Sequence, residues 1–261
     1  MSQDALLPVL PALPDAPEIL AVIQCAMPEE AQPILALLDA EPRQELAVGA
    51  GADPNSGHTQ HFVLGAIKGR PVLVVTSGIG LTNAASATTR ALVLTRPQVV
   101  IAAGTTGGLA STIEVGEIAA GVSANYHSAD ATAFGYAPGQ VPRMPATYES
   151  SPRALAAVET LAATLPESAG HQVKIGQIVS GDSFITAHIV DPVRQAFPTA
   201  VATDMETCAM AQVCWSSGVD WVSLRAVSDL CGPSADQDFH MDSALAAAHS
   251  AQAVDAWLAV Y

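Results

Sequence analysis

The stretch LRAVSDLCG, residues 224–232, places an arginine and an aspartate in an otherwise uncharged part of the sequence. Charged side chains are rarely buried without a partner or a chemical task. If a strand continues through this stretch, its two-residue alternation puts Arg225 and Asp229 on one face, about 13 Å apart. They would then not form a simple salt bridge, and we expect separate roles in one cleft. Apolar packing around Asp229 favours the protonated carboxyl, which suits this residue to donate a proton.

Two further acids and two glycine-containing segments follow other predicted strands. Glu30 comes after the first strand and Glu206 after AVAT, as Asp229 comes after WVSLRAV. The segments TTGG (105–108) and SGD (180–182) are interpreted as turns after two more strands. Ligands of open parallel sheets bind beyond the carboxyl ends of the strands, so these five positions are expected to converge on one acidic cleft.

Each of these features also has a simpler structural interpretation. Glu29 and Glu30 could be first-turn acids that favour a helix dipole. Asp204 and Glu206 could likewise be a helix cap and a first-turn acid. The glycines could merely allow tight turns. The coincidence of all these features at one sheet edge is what favours a functional cleft.

The elements that must position these residues are strands alternating with helices. Many of the strands are apolar on both faces, which indicates a mainly parallel sheet covered by helices. A hairpin is predicted where two apolar runs are interrupted by Lys68, Gly69 and Arg70. The strands are predicted at 19–25, on both sides of that hairpin turn, and in QVVIAAGTTGGLA before its glycine-rich turn, EVGEIAAGVSANYH, VKIGQIVSGDSFI, TAVAT and WVSLRAV.

Helices are predicted between these strands from their periodicity and end signals. The first starts at Pro28, and the second is capped by Thr82 or Asn83 and stops before Pro97. The buried helix in DMETCAMAQVCWSSG ends at Gly218, and HSADATAFGYAPGQVPRMPATYES is a loop rich in glycine and proline. The remaining helices are predicted in SPRALAAVETLAATLP and DSALAAAHSAQAVDAWLAVY.

Composition limits the class of protein. The chain has 261 residues, half of them hydrophobic, which is enough for one large core, and we expect a single domain over residues 19–261 after a Pro-rich lead at 1–18. The net charge of −15 without any basic cluster argues against a nucleic-acid partner. No apolar run approaches the roughly 20 residues of a membrane span, and the first residues lack the positive charge of a signal peptide. A soluble cytoplasmic protein is expected.

Metal and disulfide sites have little support in the sequence. The cysteines show no C-x-x-C spacing and are interpreted as buried free thiols at Cys25, Cys208, Cys214 and Cys231. His58 and His61 are interpreted as surface residues of a hairpin region, not as ligands. Neither a metal nor a cofactor is expected.

Eight motifs occur in order from about residue 19 to the C-terminal helix: AMPEEA, SGIGLTNAA, AGTTGGL, VGEI, YHSADATAFGYAPGQVPRMP, SGDSFI, DMETCAMAQVC and RAVSDL. Together they resemble the bacterial 5'-methylthioadenosine/S-adenosylhomocysteine nucleosidases of the nucleoside phosphorylase-like superfamily. The resemblance implies a three-layer α/β/α fold around a central mixed, mainly parallel sheet. It implies hydrolysis of the adenine–ribose bond of a small-molecule nucleoside. It also implies a homodimer in which the aromatic loop of one subunit closes the pocket of the other.

The resemblance also implies catalytic roles for particular residues. Asp229 corresponds to the acid that protonates adenine N7, with Ser228 beside it. Glu30 corresponds to the acid that activates water, with Arg225 nearby. Glu206 corresponds to the acceptor of the ribose hydroxyl groups.

Substrate-binding positions follow from the same resemblance. Met205 would lie under the sugar, Phe184 would stack on the base, and the backbone of Ile185 would read the base edge. The alkylthio tail would contact Phe239 of the same subunit and three residues from the partner subunit, Phe134, Tyr136 and Pro142. The other pocket positions implied are Met27, Ile79, Thr105, Thr106 and Gly107.

The chain departs from the usual family motifs at four places. At 105–108 the chain has TTGG where the family usually has SAGG, and at 204–206 it has DME where the family has EME. It also has AMPEE in place of the family's AMEEE, and SGIGL in place of SGIGK. None of these changes removes a catalytic carboxyl group. The additional methyl groups near the ribose are expected to tighten the pocket.

The chemistry of the implied reaction suits an acidic cleft. Cleavage builds positive charge on the ribose and negative charge on the base, so an anionic sugar face and a proton donor to the base both help. Phosphorolysis is one alternative, but it requires a cationic cradle for phosphate where this chain has Glu30, with Arg70 and Arg90 the arginines nearby in sequence. A non-catalytic nucleoside-binding or storage protein is another, against which the presence of all three acids argues. The preferred nucleoside stays open between 5'-methylthioadenosine, S-adenosylhomocysteine, 5'-deoxyadenosine and 6-amino-6-deoxyfutalosine.

Overall fold

The computed structural model describes residues 15–40, 42–46, 60–169, 171–232 and 235–261, with the backbone alone at 167 and 236–242. Most of the predicted lead at 1–18, as well as His58, therefore lies outside the described residues. The strands are β1 Glu18–Cys25, β2 Gln44–Glu45, β3 His61–Ile67, β4 Arg70–Thr76, β5 Arg96–Gly108, β6 Ile118–Tyr126, β7 Tyr148–Glu149, β8 Val173–Ser180, β9 Ala200–Asp204 and β10 Asp220–Asp229. The helices are α1 Pro28–Ala36, α2 Leu81–Leu94, α3 Pro152–Ala169, α4 Val190–Ala196, α5 Thr207–Ser217 and α6 Ala235–Leu258.

The strands form one mixed sheet in the order β10-β6-β8-β9-β5-β1-β4-β3-β2, with β7 paired to β6. Strand β10 also pairs with β5, so β5, β10, β6, β8 and β9 close into a ring from which the other strands extend. Parallel ladders join β1 to β4 and β5, β5 to β10, and β8 to β6 and β9. The prediction of an α/β fold with a mixed sheet is confirmed, whereas the ring closure was not foreseen.

Helices cover both faces of the sheet, because each central strand is apolar on both sides. Along β1, Ala21 and Ile23 pack in one core cluster with residues of α1, α3 and α6. Val22 points to the opposite face and packs with residues of α2 and α5. The carboxyl ends of β1, β4, β5 and β10 lie at the same edge of the sheet, since these strands are parallel.

Several local predictions agree with the structure. Helix α1 starts at Pro28, the hairpin turns between β3 and β4, and α5 ends at Gly218, which adopts the left-handed conformation with φ +66°. His61 is exposed in β3, with Nδ1 3.2 Å from Glu45 Oε1. No helix in the described ranges is long and apolar enough to cross a membrane.

The interpretation of TTGG as a turn is wrong. Strand β5 continues through Gly108, and Gly107 and Gly108 pair with residues of β9. These glycines serve close packing: a Cβ at Gly107 would lie 2.7 Å from Cys231 Sγ, and one at Gly108 would lie 2.8 Å from Ile113 Cγ2. Glycine inside a strand commonly marks such an approach by a neighbouring group.

The predicted cap of α2 and the start of α6 are also wrong. Helix α2 has Gly80 as its N-cap, so Thr82 and Asn83 lie inside the helix. Helix α6 starts at Ala235, before the predicted DSALAAAHS segment, and α4 had no sequence prediction.

Candidate active site

A cavity of about 310 Å³ opens at the carboxyl ends of the central strands. It brings together all five predicted catalytic residues and most of the predicted substrate-binding residues. The predicted residues that line it are Met27, Glu30, Ile79, Thr105, Thr106, Gly107, Phe184, Ile185, Met205, Glu206, Arg225, Ser228 and Asp229.

Glu30 is held at the floor of this cavity by donors from two elements. Its Oε2 accepts hydrogen bonds from the backbone N of Ala26 (2.9 Å) and Met27 (3.1 Å). Its Oε1 accepts hydrogen bonds from the backbone N and the hydroxyl of Thr105, both at 2.7 Å. The side chain therefore caps the start of α1 and also lines the cavity, so its position as a cap does not exclude a functional role.

Gly104 leaves the space that Glu30 occupies. Its φ is +120°, and a Cβ there would lie 2.5 Å from Glu30 Oε1. We expect Gly104→Ala to displace the carboxylate, lowering the hydrolase activity that the family resemblance implies by roughly a hundredfold, since small misplacements of reacting groups have effects of this size. Steady-state adenine release and thermal unfolding measure the two consequences.

Gly69→Ala is the matched control, because Gly69 has φ +75° and a methyl group added there would have nothing within 4 Å. This variant is expected to lose only about 1–2 kcal/mol of folding stability, through the strain of a left-handed alanine, and to keep full activity. Equal activity losses in the two variants would contradict the steric argument.

Arg225 lies between two of the acids that line the cavity. It is 2% exposed, with Nε 3.2 Å from Asp204 Oδ2 and Nη2 3.2 Å from Glu206 Oε2. Its Nη1 donates to the carbonyl of Thr105 at 2.9 Å. Burial would lower the pKa of Arg225, but the surrounding carboxylates raise it, so the guanidinium stays charged. Arg225 thus holds other cavity residues in place through its two ion pairs.

The two acids of the DME segment have different tasks. Asp204 Oδ1 accepts hydrogen bonds from Ser180 Oγ (2.6 Å) and the backbone N of Thr207 (3.0 Å), which makes Asp204 a cap for α5. Glu206 instead accepts a hydrogen bond from the backbone N of Gly80 at 2.8 Å, at the start of α2. Burial raises the pKa of Glu206 to about 7, although Arg225 opposes the shift.

Asp229 also lines the cavity and is 2% exposed. Its Oδ1 accepts a hydrogen bond from the backbone N of Cys231 at 2.9 Å, and Oδ2 accepts one from Ser228 Oγ at 3.1 Å. The register of β10 against β5 shifts between Val227 and Asp229. Because this irregularity interrupts the alternation assumed from sequence, the adjacent residues Ser228 and Asp229 both line the cavity.

The predicted base-binding segment is fixed to the start of α2. Asp182 Oδ1 accepts a hydrogen bond from the backbone N of Leu81 at 2.8 Å. Two residues later, Phe184 is 43% exposed, so a flat apolar surface faces the cavity, while Ile185 is buried.

The residues predicted to come from a second subunit do not line the cavity of their own chain. Phe134 is 83% exposed at the end of a short 3₁₀ helix, Thr132–Phe134. Pro142 is also exposed, and Tyr136 is partly buried. The side chain of Phe239 lies outside the described residues. Across the ranges that the structure describes, no group of three or more His, Cys, Asp or Glu residues could hold a metal ion.

Comparison with known proteins shows which family the chain belongs to. The sequence model of the phosphorylase superfamily matches residues 21–259. A 5'-methylthioadenosine/S-adenosylhomocysteine nucleosidase of Staphylococcus aureus is 40% identical over 75% of this chain and 84% of its own length. The chain belongs to this nucleosidase family.

Solved structures of nucleosidases have the same fold. The Neisseria meningitidis nucleosidase in complex with methylthio-immucillin-A has a TM-score of 0.80 and 32% identity, covering 91% of this chain and 97% of its own. The Colwellia psychrerythraea nucleosidase in complex with adenine has a TM-score of 0.84 and 30% identity, covering 93% and 95%. The family recognition made from the sequence motifs is confirmed.

Some cavity residues of this nucleosidase family member were not predicted as site residues. The sequence marks Asp204 only as a possible helix cap and as a departure from the family motif, and that departure is a signal that could have pointed to a role. The sequence predicts Cys231 only as a buried thiol, and its position two residues after Asp229 is the signal for a place in the cavity. The cavity residues missed by the sequence reasoning are Ala26, Ser183, Thr203, Asp204 and Cys231.

Proposed function

We propose that the protein hydrolyses the N-glycosidic bond of 5'-methylthioadenosine and S-adenosylhomocysteine, with water as the nucleophile and adenine as one product. The observation that carries the proposal is the convergence of Glu30, Glu206 and Asp229 on one cavity in a member of the nucleosidase family. The relatives named above are nucleosidases of these two compounds, which supports the same substrates here.

Asp229 is the proton donor to N7 of the adenine. As the bond between base and ribose breaks, its electron pair moves to the base, and a proton on N7 neutralises the developing negative charge. Hydrogen bonds from Cys231 N and Ser228 Oγ help to hold the Asp229 carboxylate in one orientation and stabilise the anion that remains after transfer.

The other two acids act on the sugar. Glu206 accepts hydrogen bonds from the ribose hydroxyl groups, while the Gly80 amide and Arg225 keep its carboxylate in place. Glu30 orients the water molecule and takes up its proton during attack on the sugar carbon. Their negative charges also stabilise the positive charge that develops on the ribose.

Phosphorolysis is disfavoured by the charges around the cavity. The charged side chains that line it are Glu30, Asp204, Glu206, Arg225 and Asp229. The guanidinium of Arg225 already pairs with two carboxylates, and a phosphate dianion would face several acids.

Three further parts of the proposal concern the whole protein. Residues 19–261 form one catalytic domain after a short N-terminal lead. The protein acts in the cytoplasm, in keeping with its free buried cysteines. It works as a homodimer, in which Phe134, Tyr136 and Pro142 of each subunit cover the alkylthio end of the other subunit's cavity, in keeping with the exposure of Phe134.

The direct test is adenine release from 5'-methylthioadenosine by purified protein in a phosphate-free buffer. We expect turnover without phosphate and no acceleration when phosphate is added. Strict phosphate dependence would show a phosphorylase, and binding without turnover of any adenine nucleoside would show a binding protein.

The raised pKa of Glu206 predicts a pH effect on substrate binding. Its ionised carboxylate is the better acceptor for two hydroxyl groups, so affinity should fall as the pH falls through about 7. KM for 5'-methylthioadenosine should rise by up to about tenfold per pH unit below that value, following the ionised fraction. Initial rates between pH 5.5 and 8.5 measure this dependence.

Glu206→Gln is the control for this pH effect. The amide keeps the side-chain shape but does not titrate, so KM should be high at every pH and nearly constant. A wild-type slope that persists in this variant would assign the titration to another group.

A further inference from the structure

The corner of the cavity at Asp229 contains a thiol whose side chain the mechanism above does not use. Cys231 is 1% exposed and lines the cavity. Its φ is +56°, in the left-handed region that few non-glycine residues adopt. An unusual backbone conformation at a functional site is a reason to ask what the residue does there.

This conformation brings both the backbone N and the thiol of Cys231 close to one carboxylate. The backbone N donates to Asp229 Oδ1 at 2.9 Å, and the thiol lies near enough to the Asp229 carboxylate for that group to raise the pKa of the thiol. The backbone of β5 limits the space on the other side, because a Cβ at Gly107 would lie 2.7 Å from Cys231 Sγ and 3.4 Å from Asp229 Oδ1. Thiol and carboxylate therefore lie side by side against Gly107.

The protonation state decides what this thiol can do. Burial raises the pKa of Cys231 to about 12, helped by the negative charge of Asp229 and opposed by Arg194 of α4. At neutral pH the group is therefore an S–H, which can donate to a carboxylate. The same state makes it a poor nucleophile, so the geometry favours a donor role over a covalent one.

We propose that Cys231 is a positioning residue for the reaction, and that its S–H stabilises the carboxylate of Asp229 as this residue gives its proton to the base. The inference rests on the proposed hydrolase function. The proton moves from the Asp229 carboxyl to N7, the electron pair of the broken C–N bond moves to the base, and the S–H bond stays intact throughout. By stabilising the anion, the thiol makes Asp229 a stronger acid and a better donor.

Other charged groups act on the same corner and must be constant in any test. On the side of α4, Arg194 donates from Nε to the carbonyl of Leu109 at 2.9 Å, with its charge near Cys231. The charged groups across the cavity, contributed by α1, β9, the start of α5 and β10, are Glu30, Asp204, Glu206 and Arg225. None of these is changed by a substitution at Cys231.

The experiment compares pH profiles of kcat for Cys231→Ala, Cys231→Gly and Cys231→Ser with the wild type. Loss of the donor should raise the pKa of Asp229. In the Ala and Gly variants the alkaline limb of the kcat profile should therefore move to higher pH by roughly half to one unit, which is the size typical of one weak hydrogen bond to a charge. Their kcat at the optimum should fall roughly three- to tenfold, with KM nearly unchanged. The Ser variant keeps a donor and should retain the wild-type limb.

The Gly variant separates the donor from the backbone strain. Glycine adopts φ +56° without strain, so Cys231→Gly should fold even if Cys231→Ala does not. A wild-type pH profile in Cys231→Gly would overturn the inference, as would a profile in Cys231→Ser that matches Gly. Absence of adenine release by the wild type would instead overturn the proposed function, which keeps the two failures distinct.

Discussion

Asp229→Asn is expected to lower kcat for adenine release by about a thousandfold, within the range for loss of a general acid. The amide has nearly the shape of the carboxyl group, and its oxygen can still accept the hydrogen bond from Cys231 N. It has no acidic proton to give to N7, so the negative charge on the departing base is not neutralised. Single-turnover kinetics with 5'-methylthioadenosine measure this loss at the chemical step.

Binding provides the internal control for this variant. Because the substitution removes an interaction needed mainly in the transition state, the dissociation constant of 5'-methylthioadenosine, measured by calorimetry, should change by less than about tenfold. Ser228→Ala is the matched variant: it removes one donor to Asp229 but leaves the acid, and we expect only about a tenfold loss of kcat. Retention of more than a tenth of wild-type kcat in Asp229→Asn would show that the proton comes from elsewhere.

Arg225→Met should produce the largest loss of stability among the cavity variants. Methionine fills much of the volume but leaves Asp204 and Glu206 buried without their shared cation. Breaking a buried ion pair from one side costs about 3–5 kcal/mol, which corresponds to a fall in Tm of roughly 10 °C for a chain of this size. Urea unfolding at several pH values, together with adenine release, measures both effects.

The pH dependence of this destabilisation identifies its cause. In the wild type, burial raises the pKa of Glu206 and the charge of Arg225 partly offsets this rise. Removal of Arg225 should therefore raise the pKa of Glu206 further. A carboxyl whose folded pKa lies above its unfolded value binds more protons in the folded state, and its contribution to stability is lost as the pH rises through the folded pKa. The Arg225→Met defect should therefore be largest near pH 8 and smaller near pH 5.

Two further variants test the charge argument. Arg225→Lys restores the charge but lacks the planar fork that reaches both acids, so an intermediate loss is expected. Adding Glu206→Gln to Arg225→Met should recover part of the lost stability, because one uncompensated carboxylate disappears. A defect that is independent of pH and unchanged in the double variant would indicate lost packing instead of unpaired charge.

The start of α2 connects the two ends of the proposed substrate. Its Gly80 amide holds Glu206, the proposed ribose ligand, and the next amide, of Leu81, holds Asp182 before the proposed base-binding segment. The helix dipole favours both acids at this end. The proposed base and ribose subsites are thus both fixed to the start of α2, which would suit a reaction at the bond between them.

Local signals in the sequence were sufficient for the fold class and for the position of the three acids. Apolar strands alternating with helices indicated a covered, largely parallel sheet, and the carboxyl-end rule placed Glu30, Glu206 and Asp229 at one edge. Proline at position 28 and glycine at position 218 correctly marked a helix start and a helix end, because both act through their own backbone.

Tertiary structure alone decided the partners of the buried charges and the edges of the sheet. Arg225 bonds to the carbonyl of Thr105, 120 positions away, and Glu206 to the amide of Gly80, 126 positions away. The glycines at 107 and 108 looked like a turn because local propensity cannot show that Cys231 and Ile113 press against them. Sequence by itself determined which residues have the chemistry and which edge they reach. The hydrogen bonds and ion pairs that orient them depend on contacts between distant segments, which exist only once the chain has folded.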